Sequence, residues 1–238
     1  MTDKLYLSDA YVREFDACIT AIEENRIMLD RTAFYPTGGG QPCDVGIFEV
    51  GDRNLNVLET KKLGDDIVHI VDSVAGVKTG DSVRGTIDWK RRYAHMRYHT
   101  ALHVIDAVVA KEYSGMITGN QIYSDRCRLD LDVPDLGKEK SADIIKNSQK
   151  EIDRNLPVVV KFLSKEQALE IKDLARTKPG EELLKVLTVF RVVDIVGLDM
   201  QLDGGTHVAN TKEIGKIELS KYESRGAHNK RIEIRIVD

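Results

Sequence analysis

Two histidines stand four residues apart in the run His99-Thr-Ala-Leu-His103. On a helix that spacing is about one turn, so both imidazoles leave the same face and can reach one ion without bending the backbone. No glutamate follows the first histidine, so the base of a His-Glu-x-x-His metalloprotease is missing. Taken alone the pair is weak evidence, because the chain holds six histidines. Far along the chain stands a second pair, Asp203-Gly-Gly-Thr-His207. The glycines allow a turn that brings an acid and a histidine toward a common point. The bland alternative is an ordinary tight turn with an exposed histidine. Zinc accepts carboxylate oxygen as well as imidazole nitrogen. The two pairs together supply four suitable donors, and the expectation is one zinc ion per chain held by His99, His103, Asp203 and His207.

A third cluster is Tyr35-Pro-Thr-Gly38-Gly39-Gly40-Gln41-Pro42. Three successive glycines between prolines cost chain entropy unless the backbone must turn unusually or let something approach closely. A ligand-touching loop and a plain hairpin loop are equally good readings of these residues. Local basic faces are offered by Lys90, Arg91 and Arg92 with His95 and Arg97, and by the tail with Lys221, Arg225, Lys230, Arg231 and Arg235. Such faces can meet phosphate even when the total charge is acidic. Solvated surface charge is the commoner explanation for an isolated cluster.

The elements that must carry these residues change character near Trp89. Before it, short apolar runs (6–12, 17–23, 26–30, 46–50, 56–60, 66–71 and 82–88) are separated by Asp, Gly and Asn. Strand-length runs at that spacing predict a small β-barrel or sandwich over residues 1–88. From Arg91 to Tyr113 there is no Gly or Pro, and Met96, Leu102, Ile105, Val108 and Val109 recur at helical spacing. A long helix is expected there, bounded by Gly115 and Gly119. Strands are expected at 126–133, 157–163, 189–196, 217–222 and 231–237. Helices are expected at 138–154 and at 164–175, the latter opened by the capping pattern Ser164…Gln167. A loop is expected at 177–180. No βαβα alternation appears, so residues 89–238 read as an α+β domain with a mainly antiparallel sheet and a long metal-bearing helix.

The chain has 238 residues, 42% of them hydrophobic, and a formal net charge of −4. That is enough apolar material for a packed core and argues against disorder. No run approaches the ~20 apolar residues that span a bilayer, and the first residues lack the apolar core of a signal peptide. Three well-separated cysteines, Cys18, Cys43 and Cys127, argue against a disulfide framework and for a reducing compartment. The expectation is a cytoplasmic protein with no membrane partner. Nothing in the composition sets the oligomeric state.

Four motifs in order, Phe34-Tyr-Pro-Thr-Gly-Gly-Gly-Gln-Pro42, His99-Thr-Ala-Leu-His103, Gly204-Gly-Thr-His207-Val-Ala-Asn-Thr-Lys-Glu-Ile-Gly215 and Ser224-Arg-Gly-Ala-His-Asn-Lys-Arg-Ile232, resemble the signatures of the alanyl-tRNA editing family. The resemblance covers nearly the whole chain and is similar to the free-standing, medium-length class. It implies a hydrolase acting in trans that deacylates alanine-specific tRNA mischarged with serine or glycine, with zinc as cofactor. By that reading Gly38, Gly39, Gly40, Gln41 and Gln121 would line the substrate site, and Arg91, Arg92, Lys230 and Arg231 would hold the tRNA. One departure stands out: the family commonly carries a cysteine where this chain has Asp203. The fourth ligand is then Asp203 first and water second, since neither Cys43 nor Cys127 sits in a matching motif. No clear general base is visible; Thr100, Asp199 and His95 are candidates by nearness in sequence. A polar pocket for the serine hydroxyl is expected at Thr118–Gln121, with a polar turn equally compatible. Three rival readings remain: a non-catalytic zinc-containing tRNA-binding module, a structural zinc protein, and an editor of another mischarged tRNA such as serine on threonine-specific tRNA.

Overall fold

The structure, a computed structural model, describes residues 1–171, 174–175, 182, 184–185, 188–224, 226 and 230–237. It divides into two compact units, Met1–His95 and Met96–Asp238. The class is α+β, with antiparallel sheets, a closed barrel and few helices. The expected loop at 177–180, Arg225 and most of the 224–229 stretch lie outside the described residues.

The first unit opens with β1 (Asp3–Lys4), followed by β2 (Glu14–Glu23), β3 (Arg26–Leu29), β4 (Arg31–Thr32), β5 (Gly46–Val50), β6 (Arg53–Leu63), β7 (Asp66–Val71) and β8 (Ser82–Ile87). Six of these close a barrel in the order β2-β3-β7-β6-β5-β8, every pair antiparallel. Alternation puts Phe15, Ala17, Ile19, Phe48, Val50, Leu55 and Val57 inside, as period-2 patterning requires. Closure removes the free edges that short strands would otherwise expose. Gly85 pairs with both Phe15 and Phe48, and a Cβ there would lie 2.5 Å from the Phe15 ring. A side chain at that position and a filled barrel core are therefore incompatible. The run at 6–12, expected as a strand, is not one. Leu5–Leu7 form a 3-10 turn, and Asp9 accepts a hydrogen bond from the Tyr11 N–H at 2.8 Å. Short side chains that bond their own backbone compete with a strand ladder, and Asp9 does so here.

The helix α1 (Trp89–Tyr113) begins at Asp88, whose carboxylate accepts from the Arg91 N–H at 3.1 Å, a standard N-cap. From Met96 to Val109 nearly every residue is buried. The helix ends at Ser114, which takes φ +51°, rather than at Gly115 as expected. Gly115 serves instead as a close-approach point, since a Cβ there would meet the Val133 side chain at 2.5 Å. Beyond it run β9 (Met116–Ile122), β10 (Cys127–Asp132), α2 (Lys138–Asp153), β11 (Val158–Ser164), α3 (Lys165–Glu170), β12 (Val189–Ile195), β13 (Asp199–Leu202), β14 (Lys216–Ser224) and β15 (Lys230–Val237). They form two antiparallel sheets, β14-β15-β10-β9 and β11-β12-β13. The segment 118–121, which also read as a polar turn, lies inside β9, and β13 had no expectation at all. Both carry polar residues, Asn120 and Gln121 on β9 and Asp199 and Gln201 on β13, and each is made a strand by pairing with its neighbour, β10 or β12. The capping box of Ser164 and Gln167 is present, on a helix shorter than expected.

His69 is sealed in the first unit. Its Nε2 meets Thr32 Oγ1 at 2.9 Å, its Nδ1 meets the Ile27 carbonyl at 3.1 Å, and the Phe34 and Phe48 rings stand edge-on to it. Burial pushes its pKa down to about 4, against the weaker opposing effect of the Ile27 carbonyl. The unfolded chain binds this proton near pH 6.5 and the folded one does not, so stability is full above pH 6.5 and falls toward pH 4. The shift is worth about 3 kcal/mol. Thermal melts between pH 7 and 4 should show this loss in the wild type and a smaller one in His69→Gln; equal slopes would refute it.

Candidate metal centre

The structure brings His99, His103, Asp203 and His207 together, with one donor atom from each all within 4.8 Å of one another. All four belong to the second unit. The first two face the cluster from consecutive turns of α1. Asp203 and His207 come from the segment that follows β13. The Asp203 N–H points to the Arg191 carbonyl at 3.4 Å, which extends the β12–β13 pairing by one residue. Asp203 Oδ2 lies 3.4 Å from His99 Nε2 and 3.7 Å from His103 Nε2, and its Oδ1 lies 2.9 Å from His207 Nε2. A tetrahedral site with bonds of ~2.1 Å has edges of about 3.4 Å. The spacings fit such a site.

The protons of the cluster also favour a cation. Thr100 is wholly buried, and its hydroxyl donates to the Met96 carbonyl at 2.9 Å while accepting from the Val208 N–H at 3.2 Å. In the tautomer in which His207 Nδ1–H donates to Thr100 Oγ1, 3.3 Å away, a neutral His207 turns a bare Nε2 toward the Asp203 carboxylate at 2.9 Å. In that form two lone pairs face each other and a positive charge between them is favoured. Burial pushes His207 down to about 4 and His99 well below the usual imidazole range, which leaves both in the ligand form. For His103 burial acts the same way, but the Asp203 carboxylate outweighs it and raises the pKa. Burial would raise Asp203, yet the imidazoles of His99, His103 and His207 hold it well below the carboxylate range.

Two further residues complete the site: Arg191, for which no role was expected, and Gly205 of the expected turn. Arg191 donates to the Asp203 carbonyl at 2.6 Å and stands 4.0 Å from its carboxylate. Gly205 donates its N–H to Asp203 Oδ1 at 2.6 Å, and a Cβ on it would sit 2.2 Å from His99 Cε1. The Gly-Gly pair hints at the second; only the strand pairing reveals the first. Asp199, a candidate base, sits at the far end of β13, where the Gln201 amide bridges it and the buried Asp106 at 2.7 and 2.6 Å. Both carboxylates raise the pKa of His103. His95 is buried, and burial first, then Arg91 and Arg92, push it to about 3.

The remaining expected residues fare differently. Gly38 and Gln41 pair across a two-residue loop with N–O distances of 3.1 and 2.9 Å. Gly39 and Gly40 hold φ of +59° and +82°, the type I′ turn that glycine favours. Gln41 is buried in the first unit. Gln121 lies on β9, opposite Arg128. Arg91 bonds the Cys43 carbonyl at 2.9 Å, Lys230 bonds Ser224 Oγ at 2.7 Å, and Arg231 makes a two-pronged pair with Asp130 at 2.6 and 2.9 Å. Arg92 needs a correction. It is fully buried, its guanidinium bound by the Asp44 carboxylate and by the Ala10 and Ala33 carbonyls at 2.8 and 2.5 Å. A side chain so enclosed cannot meet a phosphate. Asp44 inside the barrel unit needs a cation, and Arg92 supplies it.

The site predicts a contrast. Gly205→Ala should displace His99 and weaken metal binding by about 10- to 100-fold, and Thr100→Val should do so by freeing His207. Gly204→Ala meets nothing within 4 Å and should leave affinity unchanged. Competition titration against a chromogenic chelator measures all three; equal affinities throughout would refute the arrangement.

The family model described as tRNA synthetases class II (A) matches residues 7–91, and that described as threonyl and alanyl tRNA synthetase second additional domain matches 190–233. The alanyl-tRNA editing protein AlaX-M of Methanosarcina acetivorans is 39% identical, with 100% of each chain covered. That of Saccharolobus solfataricus is 38% identical over 98% of each. The alanine–tRNA ligase of Thermococcus kodakarensis is 34% identical over 93% of this chain and 24% of its own length. This chain belongs to the alanyl-tRNA editing family, in its AlaX-M group, and is a hydrolase of the deacylase class.

Proposed function

We propose that the protein hydrolyses the ester of serine, and secondarily glycine, wrongly attached to alanine-specific tRNA, with zinc held by His99, His103, Asp203 and His207. The observation that carries this reading is the buried three-histidine, one-carboxylate cluster in a chain similar along its whole length to AlaX-M proteins. Zinc bound there would supply Lewis acidity toward an ester carbonyl or acidify a water. An oxygen ligand in place of the family's thiolate favours a harder, more acidic ion. Thr100 acts as a positioning residue: its hydroxyl is spent on Met96, Val208 and His207, which fixes the tautomer of His207. Asp199 and Asp106, whose charges act on His103 and whose carboxylates the Gln201 amide bridges, are the groups assigned to receive a proton or the substrate ammonium. Gly38, Gly39, Gly40, Gln41 and Gln121 are kept as substrate-site residues. Arg91, Lys230 and Arg231 are kept as phosphate contacts, with Lys90 in place of the buried Arg92. The cytoplasm, where tRNA is charged, is the proposed place of action, in keeping with free Cys18, Cys43 and Cys127. Among the described residues no helix is long and apolar enough to cross a membrane.

Purified protein should contain about one zinc per chain and release serine from serylated alanine tRNA, leaving the correct alanyl ester largely intact. His103→Ala should lose the metal and about 100-fold or more of the rate, several kcal/mol of transition-state stabilisation. Binding without hydrolysis would indicate a tRNA-binding module; preference for serylated threonine tRNA would indicate a threonyl-type editor. Unchanged zinc in a folded His103→Ala chain would overturn the ligand set. Lys90→Glu and Lys230→Glu should weaken all tRNAs alike and reduce the salt slope by about 0.9 per lost phosphate contact. A change in the serine-over-alanine preference would place these residues in the pocket.

A further inference from the structure

One face of the β11-β12-β13 sheet joins the metal cluster to an exposed aromatic ring. Register places Phe162 on β11 directly across from Arg191 on β12. Arg191 in turn lies beside Asp203, donating to its carbonyl at 2.6 Å. Directly paired residues share a face, so Phe162, Arg191 and Asp203 form one row across the sheet. Two strand spacings, about 10 Å, separate its ends. The opposite face is occupied: Leu163, Phe190, Val192 and Leu202 pack there with Leu174 and Leu184. On the first face Phe162 remains 54% exposed, and Val189, one pair further along the same face, 58% exposed.

A large aromatic on an edge strand is an unusual thing to leave in water, and its neighbours say what would cover it. An apolar patch of one ring and one valine is too small for a protein interface, and the positive charge of Arg191, paired directly across from the ring though its side chain is only 8% exposed, favours an electron-rich partner. A nucleobase has a π-face of that size. The ester to be cleaved sits on the ribose that carries the last base of the tRNA, so an ester at the metal cluster leaves that base one nucleotide's reach away. We infer that Phe162, with Val189 beside it, is the stacking platform for the terminal base of the tRNA, and so a positioning residue for the ester. The inference rests on the aminoacyl-tRNA reading above. It makes the row across the sheet a ruler, with the base at one end and the reacting carbonyl at the other.

Two measurements separate this inference from the function it rests on. In the first, uncharged tRNA carries the fluorescent analogue 2-aminopurine as its terminal base. Wild-type protein should quench the fluorescence on binding, Phe162→Ala should not, and Phe162→Trp should restore the quench. In the second, serylated tRNA is compared with a version whose terminal nucleotide lacks its base. Phe162→Ala should raise KM for the intact substrate by roughly 5- to 150-fold, the range for loss of one base–aromatic stack, and should have no further effect on the abasic one. A quench without hydrolysis would remove the editing function and leave the base site standing. Hydrolysis with no quench in the wild type, or an equal penalty for both substrates, would overturn the platform.

Discussion

A carboxylate buried among three imidazoles is the constraint on which the second unit is organised. Taking Asp203 out of water costs several kcal/mol unless charge and hydrogen bonds replace the hydration. The Gly205 N–H and the Arg191 guanidinium meet that need in part. One comes from a Gly-Gly turn and the other from the neighbouring strand. The pairing of β12 with β13 brings Arg191 to Asp203, and α1 presents His99 and His103 to the same point. Loosening any one leaves a buried charge without its partner. A bound cation completes the balance that the protein's own groups leave open, and it would tie helix to sheet.

The same physics appears in the first unit with a different outcome. Asp44 is more deeply buried than Asp203, and it is closed off by a single guanidinium and the Tyr35 N–H at 2.6 Å. Arg92 fills its hydrogen-bonding needs from Asp44 and two carbonyls, so no room or valence is left for an ion or ligand. The chemical distinction is donor type. Arginine brings a permanent positive charge and cannot give up its proton, so the pair is complete. Histidines made neutral by burial, as His99 and His207 are, bring lone pairs, so a carboxylate among them draws in a cation. Buried ionic groups in one chain thus divide into a structural pair and a reactive cluster, according to who supplies the positive charge.

The rigid parts of the site are also the parts most tightly packed. Thr100, Thr206 and His207 are nearly without exposure, and Gly205 lies so close to His99 that no side chain fits between them. Function then spreads from this core along the sheet face, where Asp203 and Arg191 are largely buried and Phe162 stands exposed. A catalytic group needs exact placement and a substrate needs access. Strand register reconciles the two, because it fixes distances along a row while leaving one end open.

Local pattern alone determined a good share of this protein. The i, i+4 histidines required a helix and marked its face. The Asp-Gly-Gly-Thr-His run marked a turn that brings acid and histidine to one point, and alternation in the first ninety or so residues marked a barrel or sandwich. The capping box at Ser164 was legible because it involves only near neighbours. What the sequence could not decide depended on which distant residues meet. Arg91 and Arg92 are adjacent and chemically identical, yet one reaches a carbonyl near the surface and the other is swallowed beside Asp44. Thr100 read as a catalytic candidate by nearness in sequence, and only the fold places its hydroxyl among Met96, Val208 and His207. Arg191 and Phe162 carried no motif, and the polar stretches of β9 and β13 did not announce themselves as strands. Burial, register and the direction of a single proton are properties of the packed chain, and only tertiary structure assigns them.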